Sequence, residues 1–122
     1  MPDRLEIYRD VKTMNQAIKA DAGKPRLTLV PTQIIYDIAL VREYGNKKYG
    51  DSESWKEVEA VRYRDALFRH MLKYLEDPDA VDEESGISHL KHLACNVAFL
   101  CEKEKQSQIR TIARICEKWG HE

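Results

Sequence analysis

A row of polar side chains with helical spacing is the chemically most distinctive feature of this sequence. His89, His92 and Asn96 are three and four residues apart, and Ser85 falls in the same register. Because successive helical residues turn by about 100°, these side chains share one side of a helix. Apolar residues flank the row, namely Leu93, Phe99 and Leu100. The row is therefore predicted to face inward, where buried polar groups need a partner such as a metal ion, an anion or a polar neighbour.

Two interpretations of this row remain open. The histidines can be core residues that bond to backbone carbonyls or to Asp65. Alternatively, the imidazoles ligate a divalent ion or exchange protons near neutral pH.

Three acidic residues precede the row: Asp82, Glu83 and Glu84. They can favour the positive N-terminus of the following helix. They can equally supply the hard oxygen ligands that Mg²⁺ or Mn²⁺ prefers. Zinc fits less well, since no cysteine stands at ligand spacing.

Cations and aromatic residues lie in the loops before the row. Lys24 and Arg26 occupy a Gly-Lys-Pro-Arg turn, and Lys47, Lys48 and Tyr49 lie between two glycines. Such loops can present backbone amides and positive charge to phosphates. Neither a Walker pattern nor a G-x-S-x-G elbow is present.

Further along the chain, Arg69 can reach a phosphate or pair with Asp65, and His70 faces away from Phe68 and Leu72. Trp55 suits either stacking on a base or covering the end of a bundle. Together, these residues suit a nucleoside phosphate held through a divalent metal.

The periodicity predicts an all-α fold, a small bundle of about four helices with an irregular N-terminal loop segment. The helices are expected at about residues 32–45, 55–76, 84–105 and 107–119. Thr32 is a candidate cap for the first, and residues 26–30 suggest a short extended piece. Residues 1–20 are interpreted as an arm or helix, and residues 21–122 as one helical domain.

Two apolar stripes are expected to pack inside or between chains. In the second helix the stripe comprises Val61, Asp65, Phe68, Leu72 and Leu75. In the last helix Ile109, Ile112, Cys116 and Trp119 keep the spacing of a coiled-coil seam. That seam serves either the core of the bundle or a dimer contact.

Composition excludes several classes of protein. The 122 residues suit one domain, with 43% hydrophobic and 34% charged residues. A net charge of −1 disfavours sequence-blind binding to nucleic acid. No apolar run approaches the roughly 20 residues that span a bilayer, and the N-terminus does not resemble a signal peptide. Three cysteines without a CxxC pair are expected to be reduced, as in a cytoplasm.

The ordered series of short motifs resembles a phage and prophage family. It comprises "GKPRLTLVP", "YGNKKYG" followed by Trp55, "RH" at 69–70, "DEESGISHLKHLACN" and then "FL", over about residues 20–102. The series is similar to the N-terminal domain of dATP/dGTP diphosphohydrolases, distantly related to the MazG-like all-α nucleotide pyrophosphohydrolases. The resemblance implies hydrolysis of dGTP or dATP to monophosphate and pyrophosphate with Mg²⁺ or Mn²⁺, in the cytoplasm of a bacterial host.

The resemblance also implies roles for individual residues. The related pyrophosphohydrolases hold metal on E-x-x-E and E-x-x-D motifs, whereas this chain has His89, His92 and Asn96 at the second motif. The expected metal ligands are Asp82, Glu84, His89 and His92. The catalytic candidates are Glu84, His89, His92 and His70. The residues expected to bind substrate are Lys24, Arg26, Lys48, Tyr49, Trp55, Arg69 and Asn96.

Two other functions compete with the enzyme. One is a nucleotide-binding protein without turnover, a sponge or pseudo-enzyme. The other is a helical interaction module whose pocket is incidental and whose last helix is a dimer seam. The family resemblance further implies a homo-oligomer, either a dimer or a tetramer.

Overall fold

The computed structural model describes residues 22–119 continuously, together with seven residues of the preceding segment. The chain divides into two compact units, residues 1–31 and residues 32–122. Most of the predicted arm, residues 1–20, lies outside the described residues. In the first unit Leu27–Leu29 form a 3₁₀ turn, so the extended piece expected at residues 26–30 was wrong.

The second unit is all-helical, as the sequence predicted. Its helices are α1 (Gln33–Tyr49), α2 (Ala60–Glu76) and α3 (His89–Trp119). Helix α1 ends at Gly50, whose φ of +70° permits the left-handed turn that stops the helix. Thr32 precedes α1 but makes no side-chain capping bond, contrary to expectation. A 3₁₀ turn, Ser54–Glu57, links α1 to α2.

Among the described residues there are three helices rather than about four, because the predicted third and fourth helices are one. Residues 105–107 contain no glycine or proline that would end a helix, and α3 runs through them. Its 31 residues extend roughly 46 Å at the usual helical rise. The start of α3 is also later than predicted, since residues 82–88 form a turn and the helix begins at His89.

Helix α3 is the centre of the second unit and packs against both α1 and α2. The contacts involve its first half, where His89, Cys95 and Asn96 are buried. From Glu104 onward every described residue of α3 is exposed, including Ile112 and Trp119. The seam predicted in this segment is therefore not covered by the described part of the chain.

Helix α2 presents a different face to α3 than the sequence predicted. Tyr63 is buried and His70 is half-buried, whereas Phe68 and Leu72 are 54% and 45% exposed. The stripe from Val61 to Leu75 thus faces outward, and Asp65 is exposed with it. The prediction failed because both faces of α2 carry apolar residues, and packing against α3 selected the face with Tyr63 and His70.

Candidate functional site

A tight turn before α3 positions the first polar residues of the site. An antiparallel bridge joins Val81 to Ser88, and the Asp82 amide donates to the Ile87 carbonyl at 2.8 Å. Gly86 has a φ of +70°, which lets its own amide donate back to the Asp82 carbonyl at 2.8 Å. The turn therefore holds the side chains of Asp82 and Ser85 against the start of α3.

Three imidazoles meet where α2 packs on α3. The Nδ1 atoms of His70 and His89 lie 2.8 Å apart, within hydrogen-bond distance. The His70 ring also stacks on that of His92, with centroids 4.7 Å apart and an angle of 8°. His92 Nε2 lies 2.7 Å from Ser85 Oγ, which in turn accepts from the Ile87 amide at 3.1 Å. The polar row of the sequence thus continues into the turn and onto a second helix.

A carboxylate completes this cluster. Ligand atoms of His70, Asp82 and His89 all lie within 4.8 Å of one another, which is close enough for a shared metal ion. Asp82 Oδ1 accepts from the Ser85 amide at 2.9 Å, which fixes the direction of the carboxylate. We refer to these three residues as the His-Asp-His triad.

Burial sets the protonation of the cluster. Burial, together with the neighbouring His92 and His89, lowers the pKa of His70 to about 4. Burial also lowers the pKa of His92. For Asp82, burial opposes the charge, but hydrogen bonds from Ser85 and the nearby imidazoles outweigh it and hold the pKa below its usual value. At neutral pH the cluster therefore combines the neutral imidazoles of His70 and His92 with the ionised carboxylate of Asp82.

The cluster forms one end of a cleft of about 560 Å³ between α1, α2 and α3. A volume of this size is typical of small-molecule sites. Residues predicted to act at the site line it: Lys48, Tyr49, His70, Asp82, Glu84, His92 and Asn96. Asn96 is buried, and its Nδ2 donates to the His92 carbonyl at 2.9 Å.

Charged residues from α1 meet the turn at the other side of this cleft. Lys48 forms an ion pair with Glu84 and also lies 5.2 Å from the centroid of the Tyr49 ring. Hydrogen bonds from Lys48 and Tyr44 hold the pKa of Glu84 below its usual value, and Glu84 raises that of Lys48. Both side chains remain partly exposed, so the pair is open to a ligand.

An aromatic group supports the cleft beside these charges. Phe99 lines the cleft and stacks on Trp55, with centroids 4.9 Å apart, and it also contacts Tyr63. The Tyr63 hydroxyl donates to the Trp55 carbonyl at 2.7 Å. The Arg42 guanidinium lies 5.1 Å from the Phe99 centroid and donates to the Ser52 carbonyl. A cation and flat rings are thus available for a base or a phosphate.

A second, acidic hollow of about 580 Å³ lies on the other side of Asp82. Its lining includes His89 and the acidic residues Glu76, Asp77, Glu83 and Glu84. Asp82 and Glu84 border both spaces, while His70 and His92 border only the first. The first cleft is lined by three cations and three carboxylates, so the His-Asp-His triad borders one space of mixed charge and one that is mainly acidic.

Two of the residues predicted to bind substrate, Arg69 and Trp55, do not line the cleft. Arg69 is exposed on α2, and Trp55 stacks on Phe99; neither is among the described residues that line the cleft. Lys24 and Arg26 are exposed in the first unit, and their predicted role stays a prediction. Asp65, a proposed partner for the histidines, is exposed on α2.

The sequence analysis did not find several residues that line the cleft: Arg42, Tyr44, Arg62 and Tyr63. Arg42 was detectable in principle, since it lies one turn before Gly45 on α1 and seven residues before Tyr49. Tyr63 and His70, seven residues apart, mark the covered face of α2.

The sequence of residues 14–111 matches the family described as "dATP/dGTP diphosphohydrolase, N-terminal". This chain belongs to that family. The match includes the whole cleft, the turn and the His-Asp-His triad.

One relative is a dATP/dGTP diphosphohydrolase of Salmonella phage PMBT28, which is 35% identical over 83 residues. The aligned part is 68% of this chain but 28% of the phage protein. No solved structure matches the chain significantly. No helix in the described part of the chain is long and apolar enough to cross a membrane.

Proposed function

We propose that this chain hydrolyses purine deoxynucleoside triphosphates, dGTP or dATP, to the monophosphate and pyrophosphate with the help of a divalent metal ion. The observation that carries the proposal is the composition of the cleft between the helices. It brings Lys48, Arg42 and Arg62 to the same space as Asp82 and two imidazoles. Family membership supports the nucleotide class, because the phage relative is named for dATP and dGTP.

The cations suit the triphosphate. Lys48 lies in the last turn of α1, and the Arg42 guanidinium lies 5.1 Å from the centroid of the Phe99 ring. Both side chains line the cleft. We assign phosphate binding to Lys48 and Arg42, with Tyr49 beside them. Asn96 then orients the ligand from the buried wall of α3.

The carboxylates and imidazoles suit the hydrolytic step. Water adds across the phosphoanhydride between the α- and β-phosphates, that bond breaks, and pyrophosphate leaves. Asp82 would hold a divalent ion here, and such an ion would supply positive charge to offset the charge developing on the phosphates. The donors fit this role, because the Asp82 carboxylate is ionised and the neighbouring His70 imidazole is neutral.

Glu84 is our candidate for the base that accepts the proton of the attacking water. Its carboxylate is ionised and currently bonds Lys48 and Tyr44. When Lys48 turns to a phosphate, Glu84 loses its strongest partner, its pKa rises, and it becomes a better proton acceptor. His92, bonded to Ser85, is placed to pass protons along the same wall.

The experiment that tests this function measures pyrophosphate and monophosphate release from a panel of ribo- and deoxyribonucleoside triphosphates. Each is incubated with Mg²⁺, with Mn²⁺ and with chelator. Metal-dependent release from dGTP or dATP is expected, and Glu84→Gln should abolish release while nucleotide binding persists. Release that survives Glu84→Gln would show that the base is another residue.

One observation favours a second candidate function, a nucleotide-binding protein without turnover. Among the described residues the cluster holds three imidazoles but few carboxylates, and Asp65 lies exposed outside it. No release from any triphosphate, together with a nucleotide-induced rise in melting temperature, would establish this alternative.

We also propose that the chain forms a homo-oligomer through the second half of α3. Ile109, Ile112 and Trp119 are 55–67% exposed on one side of this segment. Most of the stability of a helix in a protein comes from packing of its apolar face, and the described residues leave the apolar face of this segment uncovered. The spacing of three and four residues fits the matching seam of a second copy.

A further inference from the structure

The two facing nitrogens of His70 and His89 are the starting point for an inference about the metal. Their Nδ1 atoms lie 2.8 Å apart, and the nearest carboxylate of the cluster belongs to Asp82. Two ligands at adjacent positions around one ion, each at roughly 2.0–2.2 Å, are separated by about 3 Å. The pair is therefore already near the spacing that a shared ion requires.

We infer that the His-Asp-His triad binds a first-row divalent transition-metal ion and discriminates against Mg²⁺. The inference deepens the proposed function, on which it rests for the purpose of the ion. It changes the ligand set expected from the sequence, since His70 enters while Glu84 and His92 leave. The binding itself is a property of three residues and does not depend on turnover.

The nature of the donors determines the type of ion. Mg²⁺ prefers oxygen ligands and is held in proteins mainly by carboxylates and water. Two imidazoles and one carboxylate suit ions such as Mn²⁺, Fe²⁺, Co²⁺ and Zn²⁺, and three protein ligands leave positions open for a substrate. Asp82 and Glu84 were the carboxylates expected to ligate Mg²⁺ or Mn²⁺, and Glu84 is engaged with Lys48 and Tyr44 instead.

The surroundings of the triad orient its members. The Ser85 amide donates to Asp82 Oδ1, and the His89 amide donates to the Ala80 carbonyl at 3.3 Å. The His92 ring stacks on His70, while its Nε2 lies beside Ser85 Oγ. Contacts of this kind hold metal ligands in place. His92 thus positions His70 by stacking on its ring, while His92 Nε2 lies within hydrogen-bond distance of Ser85 in the turn.

The triad also opens toward the proposed substrate. His70 and Asp82 line the cleft between the helices, so an ion on the triad faces the space where Lys48 and Arg42 would hold phosphates. His89 borders the acidic hollow, from which a hydrated cation can approach.

The test is Co²⁺ binding to the metal-stripped full chain without nucleotide, followed by visible absorption. We expect one Co²⁺ per chain with a d–d band. Excess Zn²⁺ should displace the Co²⁺, whereas a roughly thousandfold excess of Mg²⁺ should leave it in place, because nitrogen donors bind Mg²⁺ weakly. The variants His70→Gln and Asp82→Asn should each weaken Co²⁺ binding at least about tenfold. Circular dichroism shows whether each variant remains folded.

Glu84→Gln is the matched control, since Glu84 borders the cluster outside the triad and is engaged with Lys48 and Tyr44. This variant should keep Co²⁺ binding within a few fold of the natural chain. Retained binding in His70→Gln with loss in Glu84→Gln would overturn the inference. So would displacement of Co²⁺ by equimolar Mg²⁺.

The same experiment separates this inference from the proposed function. Co²⁺ binding with the expected variant pattern, but no pyrophosphate release with any metal, would leave the triad standing and refute hydrolysis. Pyrophosphate release that is unchanged in His70→Gln would refute the triad as the metal site and leave hydrolysis standing.

Discussion

His70 on α2 and His89 on α3 face each other with their Nδ1 atoms 2.8 Å apart. Nineteen residues separate them in the chain, so only the packing of α2 on α3 brings them together. His89 is buried and His70 is half-buried, which makes their contact part of the small core as well as of the candidate site. Stability and metal binding are therefore expected to depend on the same side chains.

The first prediction concerns stability against pH in the presence of chelator. The pKa of His70 is lowered from 6.5 to about 4 in the folded chain. Between these values the unfolded chain binds a proton that the folded chain does not, so the free energy of unfolding should fall as pH drops from about 6.5 to 4. Above 6.5 this contribution is fully present, and below 4 it falls no further.

Urea denaturation at several pH values measures the effect, and His70→Gln provides the comparison. The variant should lose part of the dependence on pH between 6.5 and 4, while His92, whose pKa is also lowered, retains some. A free energy of unfolding with the same slope in both proteins would contradict the assignment to His70.

The second prediction concerns Lys48. Its ion pair with Glu84 is partly exposed, so the Lys48→Met variant should melt near the temperature of the natural chain. Loss of a phosphate-binding cation should nevertheless weaken nucleotide binding roughly tenfold or more, measured by calorimetry. Lys56→Met is the matched control, because Lys56 also forms an exposed ion pair, with Glu53, but does not line the cleft. Equal losses in both variants would argue against Lys48 as a specific contact.

The third prediction concerns Arg42, which the sequence analysis missed. Its guanidinium borders the cleft, and Arg42→Leu should weaken triphosphate binding more than monophosphate binding, because charge-assisted bonds to phosphate are lost. Calorimetry with both ligands measures the difference. Arg64→Leu removes an equal charge from the exposed surface of α2 and should leave both affinities unchanged. Parallel losses for both nucleotides in Arg42→Leu would assign it to packing against Phe99 instead.

The fourth prediction concerns the exposed half of α3. Ile112→Glu places a charge in the apolar seam and should shift the molar mass measured by light scattering toward that of one chain. Arg114→Glu changes a residue on the opposite side of the same helix and should leave the mass unchanged. A natural chain that is already monomeric at high concentration would refute the proposed homo-oligomer.

The features that the sequence predicted well depend on short distances along the chain. Helical periodicity predicted an all-α fold and placed His89 and Asn96 on one buried side of a helix. Ser85 was expected in the same helical register; it lies in the turn before the helix instead, yet its Oγ is 2.7 Å from His92 Nε2. These features are local because backbone geometry fixes which residues of one element share a side.

The tertiary structure decided which sides meet. Helix α2 has apolar residues on two faces, and periodicity cannot say which one α3 covers; packing chose the face with Tyr63 and turned Phe68 and Leu72 outward. The same choice carried His70 to His89 and brought Lys48 of α1 to Glu84 of the turn. The cleft and the His-Asp-His triad join residues from separate elements, and their distances follow from how the helices pack on α3, which the order of residues within each helix does not specify.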